Sequence, residues 1–588
     1  MTKDSYRDLF IKVIDFIRER YEPNRIMVIE APTGYGKSIA APLLYHELIK
    51  EKYCFNSIHV LPLRAIIEDY YICKLIQSYT HRLSYCRSPP PKWFKQILVN
   101  AGLTINDIAY QMGDLLLRYG EVRDLIKKEP VYDAKYIVST FDSFAYTIFR
   151  IPVTEIFRTI KHYAIPRARI FTSTIIMDEA HLVFREDVDA GSFLAISQAI
   201  IKYSSVANTP LILMSATINN FIRRMMEEAS DGKIVFFRIW KDVSKTKNIF
   251  FIRDRDFESI CLNINWKTYV IPDEVDKYRK IVIEDVSSCR KVLFIRFRVK
   301  DAIDTYKELI EVLGKEKVTL IHGKMDRFDR EVAISKANKS DVVVATSVIE
   351  AGVDWSFDTL ITDHPNPMSI VQQAGRICRH IDGETCEAKV YIIRGKDNSL
   401  VTKFINNVST YGIEWRLPYD VERNGKIYLG TSRILEEYNL NLRYSYRIRE
   451  SLEQLMTPLF LTSRSINNIL RRHNYTLLRT LLTQVLTDVK VLEDLNFERV
   501  ITFSMTIDLK FLLSKFANHL DSFIAIGVDE KDQLHLIYRK EVSNVKSISD
   551  YIELVRKGYG KLAIHKLRPL YLGFILKKGV YRRGEGLV

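Results

Sequence analysis

The nine residues EAPTGYGKS (30–38) constrain this chain more than any other stretch, because they join an apolar run, IMVIE, to a helical one, IAAPLLYHELIK. A glycine-bearing turn in that setting is a phosphate loop. Backbone N–H groups from Thr33 to Ser38 converge where a helix begins, and the helix dipole favours an anion there. Gly34 and Gly36 permit the tight wrap. Lys37 offers a cation to the phosphates, and Ser38 offers a hydroxyl to a divalent metal. A strand feeding such a loop expects parallel neighbours, so the fold class is α/β.

The rest of the chain supplies those neighbours. From residue 1 to about 240, the strand-like runs IMVIEA, SIHVLP, YIVST, STIIMD and PLILMSAT alternate with helical stretches. A second series, KVLFIRF, VTLIHG, DVVVATS, TLITD and KVYIIRG, runs from about 280 to 415. Each series predicts a parallel sheet with crossover helices. At 588 residues the chain is too long for one core. The expected organisation is a lobe at 1–240 with an insert at about 82–135, a lobe at 241–415, and an α+β accessory region at 416–588. In that last region RILEEYNLNLRYSYRIRESLEQL and LLRTLLTQVLTDVKVLEDL read as helices, and SFIAIGV and QLHLIYR as strands.

A formal charge of +15 favours a polyanionic partner. Seven cysteines show neither a C-x-x-C pair nor a zinc spacing, so reduced thiols are expected. MTKDSYRDLF is charged within three residues and no apolar run approaches a membrane span, which predicts a soluble cytoplasmic protein.

IIMDEAH (175–181) places two carboxylates at the end of an apolar strand, where open α/β sheets put their ligands. Asp178 suits a magnesium ion held through its waters, and Glu179 suits the orientation and deprotonation of an attacking water. His181 reads equally as a relay or as a core histidine. Ser215 and Thr217 in MSAT could bond the DEAH turn or serve as caps. In QQAGRICR, Arg376 and Arg379 are three apart, one face of a helix, so both can address one object.

The order A-x-x-G-x-G-K-S, DEAH, SAT, A-T-x-x-x-E-x-G-x-D, Q-x-x-G-R-x-x-R resembles the superfamily 2 helicase motor over roughly the first 400 residues. The wording EAGVDWSFD, then LITD and QQAGR, looks most like the CRISPR-associated interference helicase of type I systems. The resemblance implies two RecA-like lobes, ATP and Mg2+ as cofactors, and ATP-dependent 3′ to 5′ unwinding of target DNA. It implies ATP contacts at Pro32, Thr33, Gly34, Tyr35, Gly36, Lys37, Ser38, Gly352, Asp354 and Gln372, with metal at Ser38 and Asp178. Lys37, Glu179, Arg376 and Arg379 would carry catalysis, the arginines reaching across from the other lobe to the γ-phosphate. His181, Ser215 and Thr217 would couple hydrolysis to movement, and Arg64, Thr140 and Thr346 would face the nucleic-acid backbone. Partners implied are single-stranded target DNA, a guide-RNA surveillance complex and an HD nuclease.

The chain departs from the family pattern in four places. No glutamine precedes the phosphate loop, Leu63 replaces a hydroxyl residue, Gln373 stands where arginine is common, and Ser347 where glutamine is. None of the twelve histidines is followed by aspartate, so a helicase-only form with a separately encoded HD nuclease is expected. Two other readings stay open: a stand-alone repair or RNA helicase, and an ATP-gated clamp that recruits a nuclease. The insert, with PPPKWF, reads as a strand-steering element or an ordinary surface excursion. The stretch 556–588 carries nine Lys or Arg against one Glu, interleaved with Tyr559, Tyr571, Phe574 and Tyr581, which suits single strands or a core.

Overall fold

Ile26–Glu30 is buried along its whole length and forms the spine of the first lobe. A computed structural model describes residues 7–62, 64–80, 83, 86, 90–112, 125–152, 162–181, 190–349, 355–380, 385–395, 412–437, 446–457, 461–473, 482–542, 545 and 547–587. Leu211–Ser215 and Ile234–Ile239 pair in parallel on the two sides of the spine strand. The nine-stranded sheet runs Ile108–Gln111, Tyr136–Thr140, Asn56–Leu61, Ser173–Met177, Leu211–Ser215, Ile26–Glu30, Ile234–Ile239, Ile249–Ile252, Ser244–Lys245. Only the last pairing is antiparallel. Buried on both faces, such strands read as continuous apolar runs, as here.

The second sheet has six parallel strands in the order Ile264–Pro272, Cys386–Arg394, Thr359–Thr362, Val292–Ile295, Val342–Ala345, Val318–Ile321. Parallel register places the ends of neighbouring strands level, and in both lobes the chemistry-bearing turns leave from those ends. The loop at 31–36 leaves the first spine, and Pro367–Ala374 follows the strand Thr359–Thr362.

Beyond residue 416 the described segments divide between the lobes. Leu452, Leu455, Met456, Ile466 and Ile469 join a core cluster of the first lobe, and Arg167 donates to the Met456 carbonyl at 3.1 Å. Residues 482–587 instead build a five-stranded sheet, Ser504–Asp508, Leu482–Leu486, Arg568–Leu576, Leu520–Val528, Leu534–Glu541, with the helix Ile548–Ile564 packed on it.

The final residues dock on the second lobe. Tyr581 Oη accepts from the Asp326 amide at 2.7 Å and donates to Asp329 at 2.9 Å. Arg583 pairs with Asp326, and Gly584 N–H donates to Asp329 at 2.9 Å. His322 Nε2 donates to the Glu585 carbonyl at 2.7 Å while Nδ1 accepts from the Lys324 amide at 3.1 Å. These two bonds require the neutral imidazole.

Three expectations are corrected, and one open alternative, the tail aromatics, is decided. The run 477–495 is not one helix: Leu482–Leu486 is a strand, with Thr483 and Val485 alternately inward, pairing parallel with Arg568–Leu576. Sheet pairing overrides the leucine spacing there. The insert is not a surface excursion in its described parts, since Phe94 and Leu98 are fully buried and Ile108–Gln111 is the sheet's edge strand. Of the tail aromatics, Tyr571 and Phe574 are core, and Tyr581 is the docking group above. Reduced thiols also fail as a general reading. Folding brings the Cys73 and Cys86 Cα atoms to 5.3 Å and those of Cys378 and Cys386 to 6.1 Å, and both pairs are bonded. Among the described residues, no helix is long and apolar enough to cross a membrane.

Burial pushes the His322 imidazole down to about 4, below its ordinary value of 6.5. The folded state therefore binds fewer protons than the unfolded one between those values, and stability rises with pH across that window. The thermal midpoint is expected to fall as pH drops from 6.5 to 4, and to fall less in His322→Gln. Equal slopes in the two proteins would refute the neutral, docked histidine.

Candidate nucleotide site between the lobes

The phosphate loop owes its shape to two left-handed residues, Gly34 at φ 83° and Gly36 at φ 96°, after which the helix Lys37–Lys50 begins. Lys37 is buried, and its Nζ donates to the carbonyls of Ala31 at 3.0 Å and Pro32 at 3.2 Å, curling over the loop. Ser38 Oγ bonds Asp178. The Tyr35 side chain turns away into the lobe, donating to Asp254 at 2.6 Å and packing on Phe10 and Phe257. Only its backbone is left to face the cleft.

Asp178 and Glu179 follow directly from the buried strand Ser173–Met177. The Asp178 amide donates to the Val60 carbonyl at 2.9 Å, and its Oδ1 accepts from the Glu179 amide at 2.8 Å. His59, on the neighbouring strand, brings Nε2 within 3.8 Å of Asp178 Oδ2. Although burial opposes the charge, His59, Lys37 and Ser38 together hold the Asp178 carboxyl below its ordinary value. Glu179 shifts upward, chiefly by burial and further by the Asp178 charge, against the pull of Lys37, Arg376 and Arg379. Its side chain keeps 22% of its surface exposed, enough to meet a water. His181 Nδ1 lies 3.4 Å from Glu179 Oε2.

The second lobe closes the cleft. Thr33 Oγ1 donates to Gln372 Oε1 at 2.8 Å, a bond across 339 positions of sequence. Gly375 meets the same threonine so closely that an added Cβ would lie 2.6 Å from Thr33 Cβ. Arg376 and Arg379 do not share a helix face as the spacing suggested. The helix Pro367–Ala374 stops first, and the arginines occupy a turn in which Cys378 adopts φ 48° and donates its amide to the Phe357 carbonyl at 2.7 Å. Both guanidinium charges still act on Glu179.

Beside the loop lies a cleft lined by Ala31, Thr33 and Ala216 from one lobe and by Val371, Trp415 and Arg416 from the other side. A deep cation, two carboxylates of opposite tendency, a hydroxyl and open backbone at Gly34 and Gly36 fit a nucleoside triphosphate with a divalent cation. Glu179 Oε2 is buried beside His181, so the exposed part of the side chain is what could meet a water.

Other anticipated residues sit elsewhere. Ser215 Oγ and Thr217 bond each other, by Thr217 N–H to Ser215 Oγ at 3.2 Å. Thr140 is buried and caps the helix Phe141–Ile148, accepting from the Ser143 amide at 3.2 Å. Thr346 is buried, and Arg64 donates to Thr506 of the small sheet domain at 2.9 Å. Gly352 and Asp354 lie outside the described residues. Sequence reasoning missed His59 and Arg416. A histidine in the middle of SIHVLP is a signal that could have been followed, whereas Arg416 carries none.

In fold and motif order the chain resembles the two-lobed superfamily 2 helicases. Residues 288–382 match the family described as CRISPR-associated nuclease/helicase Cas3, C-terminal. A Streptococcus thermophilus protein named CRISPR-associated nuclease/helicase Cas3 is 22% identical over 387 residues, 60% of this chain and 39% of that one. A Methanothermobacter thermautotrophicus protein of the same name is 30% identical over 136 residues, 22% of this chain and 16% of that one. The T. fusca Cas3-AMPPNP crystal structure superposes with a TM-score of 0.56 at 14% identity, covering 88% of this chain and 66% of that one. The chain is thus similar to CRISPR-associated Cas3 proteins in sequence and fold, and the matched stretches span well under half the length of the two curated relatives.

Gly375 has φ −62°, so alanine there meets no backbone strain, only Thr33. Gly375→Ala is expected to cut nucleotide hydrolysis at least ten-fold while leaving the melting temperature within about 2 °C, because it opposes lobe closure alone. Adding Thr33→Gly removes the clashing Cβ and should recover part of the closure, read as the radius of gyration with a non-hydrolysable nucleotide. No change of radius in either variant would place the contact outside the closing motion.

Proposed function

We propose that this chain is an ATP-driven helicase and translocase acting 3′ to 5′ on target DNA in type I CRISPR interference, with an HD nuclease and a guide-RNA surveillance complex as partners. The observation that carries the reading is the seam at Thr33, where the phosphate loop of one lobe meets Gln372 and Gly375 of the other. The relatives' names pair nuclease with helicase, and the T. fusca structure is described with AMPPNP, which supports an adenine nucleotide. Polarity and pathway rest on the resemblance. The expected boundary at 240 moves to about 262, because Ser244–Lys245 and Ile249–Ile252 belong to the first lobe's sheet and Phe257 and Cys261 to its core; 241–415 thus narrows to about 263–415, and 416–588 is kept as the accessory division.

ATP supplies the phosphoryl group whose transfer to water releases free energy, and Ser38 and Asp178 would hold its Mg2+. Lys37 trades its bonds to the Ala31 and Pro32 carbonyls for phosphate oxygens. Asp178, held ionised, keeps its charge throughout. Glu179 accepts a proton from water, and its raised pKa makes it a stronger base than an exposed glutamate. Arg376 and Arg379 bring positive charge across the cleft, a contribution of ~10³ to 10⁵ in rate for arginines of this kind. Because they belong to the second lobe, hydrolysis is tied to closure, and alternating closure moves the lobes along a strand.

Lys37→Ala is expected to abolish both nucleotide binding and hydrolysis, whereas Glu179→Gln keeps binding and loses turnover by about 10² or more. The acidic limb of kcat should lie above the ordinary glutamate value of 4.5, since activity is lost as pH falls through a raised carboxyl pKa. A Glu179→Gln protein that hydrolyses ATP normally would remove the base.

On a partial duplex with a 3′ overhang the chain should displace the paired strand with ATP, and single-stranded DNA should stimulate hydrolysis more than RNA. Stimulation by RNA alone points to an RNA helicase. Stimulated hydrolysis without displacement points to a nucleotide-gated clamp.

A further inference from the structure

We propose that Arg416 is a positioning residue for the arginine turn, a group that, together with the Cys378–Cys386 bond, fixes where Arg376 and Arg379 point; this rests on the hydrolysis proposed above. The turn 375–379 is short of donors for its carbonyls, because Cys378 is left-handed and no helix continues beyond Ala374. Its amides are met from one side: Arg379 N–H donates to Ser356 Oγ at 3.0 Å, and Cys378 N–H to the Phe357 carbonyl. The Arg376 carbonyl also accepts on that side, from the Phe357 amide at 3.1 Å, but the next two carbonyls are met from the other. Arg416 Nη2 donates to Ile377 O at 3.1 Å and to Cys378 O at 2.9 Å, the two peptide groups between the arginines.

Arg416 is itself held. Its amide donates to Glu414 Oε1 at 3.0 Å, and that fully buried carboxylate also pairs with Arg423 and accepts from Trp266 Nε1 at 3.2 Å. Trp415 Nε1 donates to Thr268 Oγ1 at 3.0 Å. Trp266 and Thr268 lie on the strand Ile264–Pro272, so the guanidinium ties the second lobe's sheet to the turn alongside the covalent tie from Cys378 to Cys386 on the neighbouring strand. Arg416 sits 6% exposed and lines the same cleft as Ala31 and Thr33 without belonging to any of the motor motifs. Both bonds leave one terminal nitrogen, Nη2, carried at the end of a rigid planar guanidinium, a placement that a lysine ammonium on its thinner, shorter stem does not reproduce.

The test is a kinetic cycle on the full chain with single-stranded DNA. Arg416→Ala is expected to lower kcat ten-fold or more, since misplacing a reacting group by about 1 Å costs on that order, with the Kd for a non-hydrolysable ATP analogue changed less than two-fold. In an Arg379→Ala background the same substitution should cost less than two-fold, because its effect is already spent. Arg416→Lys keeps the charge opposite Glu414, so it should fold normally and lose about five-fold. Full additivity with Arg379→Ala, or a folded Arg416→Lys that turns over at the unsubstituted rate, overturns the proposal. Absence of hydrolysis in the unsubstituted chain would instead sink the proposed function, and this inference with it.

Discussion

Two adjacent carboxylates held in a buried place govern the rest of the cleft. Like charges side by side in a low dielectric cannot both ionise freely, so their surroundings must differ. Here they do: Asp178 is met by Ser38 and His59, while Glu179 is left to burial and to the more distant pull of Lys37 and the two arginines. The pair thereby divides into one permanent anion and one base, a division the parallel sheet makes possible. Val60, His59 and Asp178 are neighbours because Asn56–Leu61 and Ser173–Met177 run side by side in register.

That electrostatic arrangement is completed only from outside the lobe that houses it. Gln372 and Gly375 touch Thr33, and the arginine turn follows one residue later, so contact with the loop and delivery of charge are a single event. The C-terminal segments are divided in the same sense. Residues around Leu452 and Ile469 are welded into the first lobe's core, while Tyr581, Arg583 and Glu585 are fastened to the second. The chain downstream of the motor is therefore carried by both moving parts.

Much of this was legible in sequence, and for a physical reason. A phosphate loop needs a strand before it and a helix after it, and parallel strands buried on both faces announce themselves as apolar runs, so the strands around Lys37, Asp178 and Thr346 were found. The pairing of Leu482–Leu486 was not, because leucine spacing alone cannot separate a short inward-facing strand from a helix. The arginine turn was placed on a helix since three-residue spacing says nothing about where the helix stops. Arg416 and the two bonded cysteine pairs were invisible for a further reason: each is defined by a partner distant in sequence or by a turn whose shape only folding creates. The likeness to known motors supplied roles for Thr140 and Thr346, and in the structure both are buried, Thr140 as a helix cap.

Glu179 occupies φ 48°, a conformation that side chains other than glycine and asparagine adopt at a cost of order 1 kcal/mol. The bend turns its amide back onto Asp178 Oδ1 and delivers its carboxylate to the cleft. Folding alone would prefer another residue there. Selection for heat resistance, blind to turnover, would drift toward glycine or asparagine at 179 and return sturdier chains that have lost their base. A glutamate at such a position is better suited to what the cleft does than to how the chain folds.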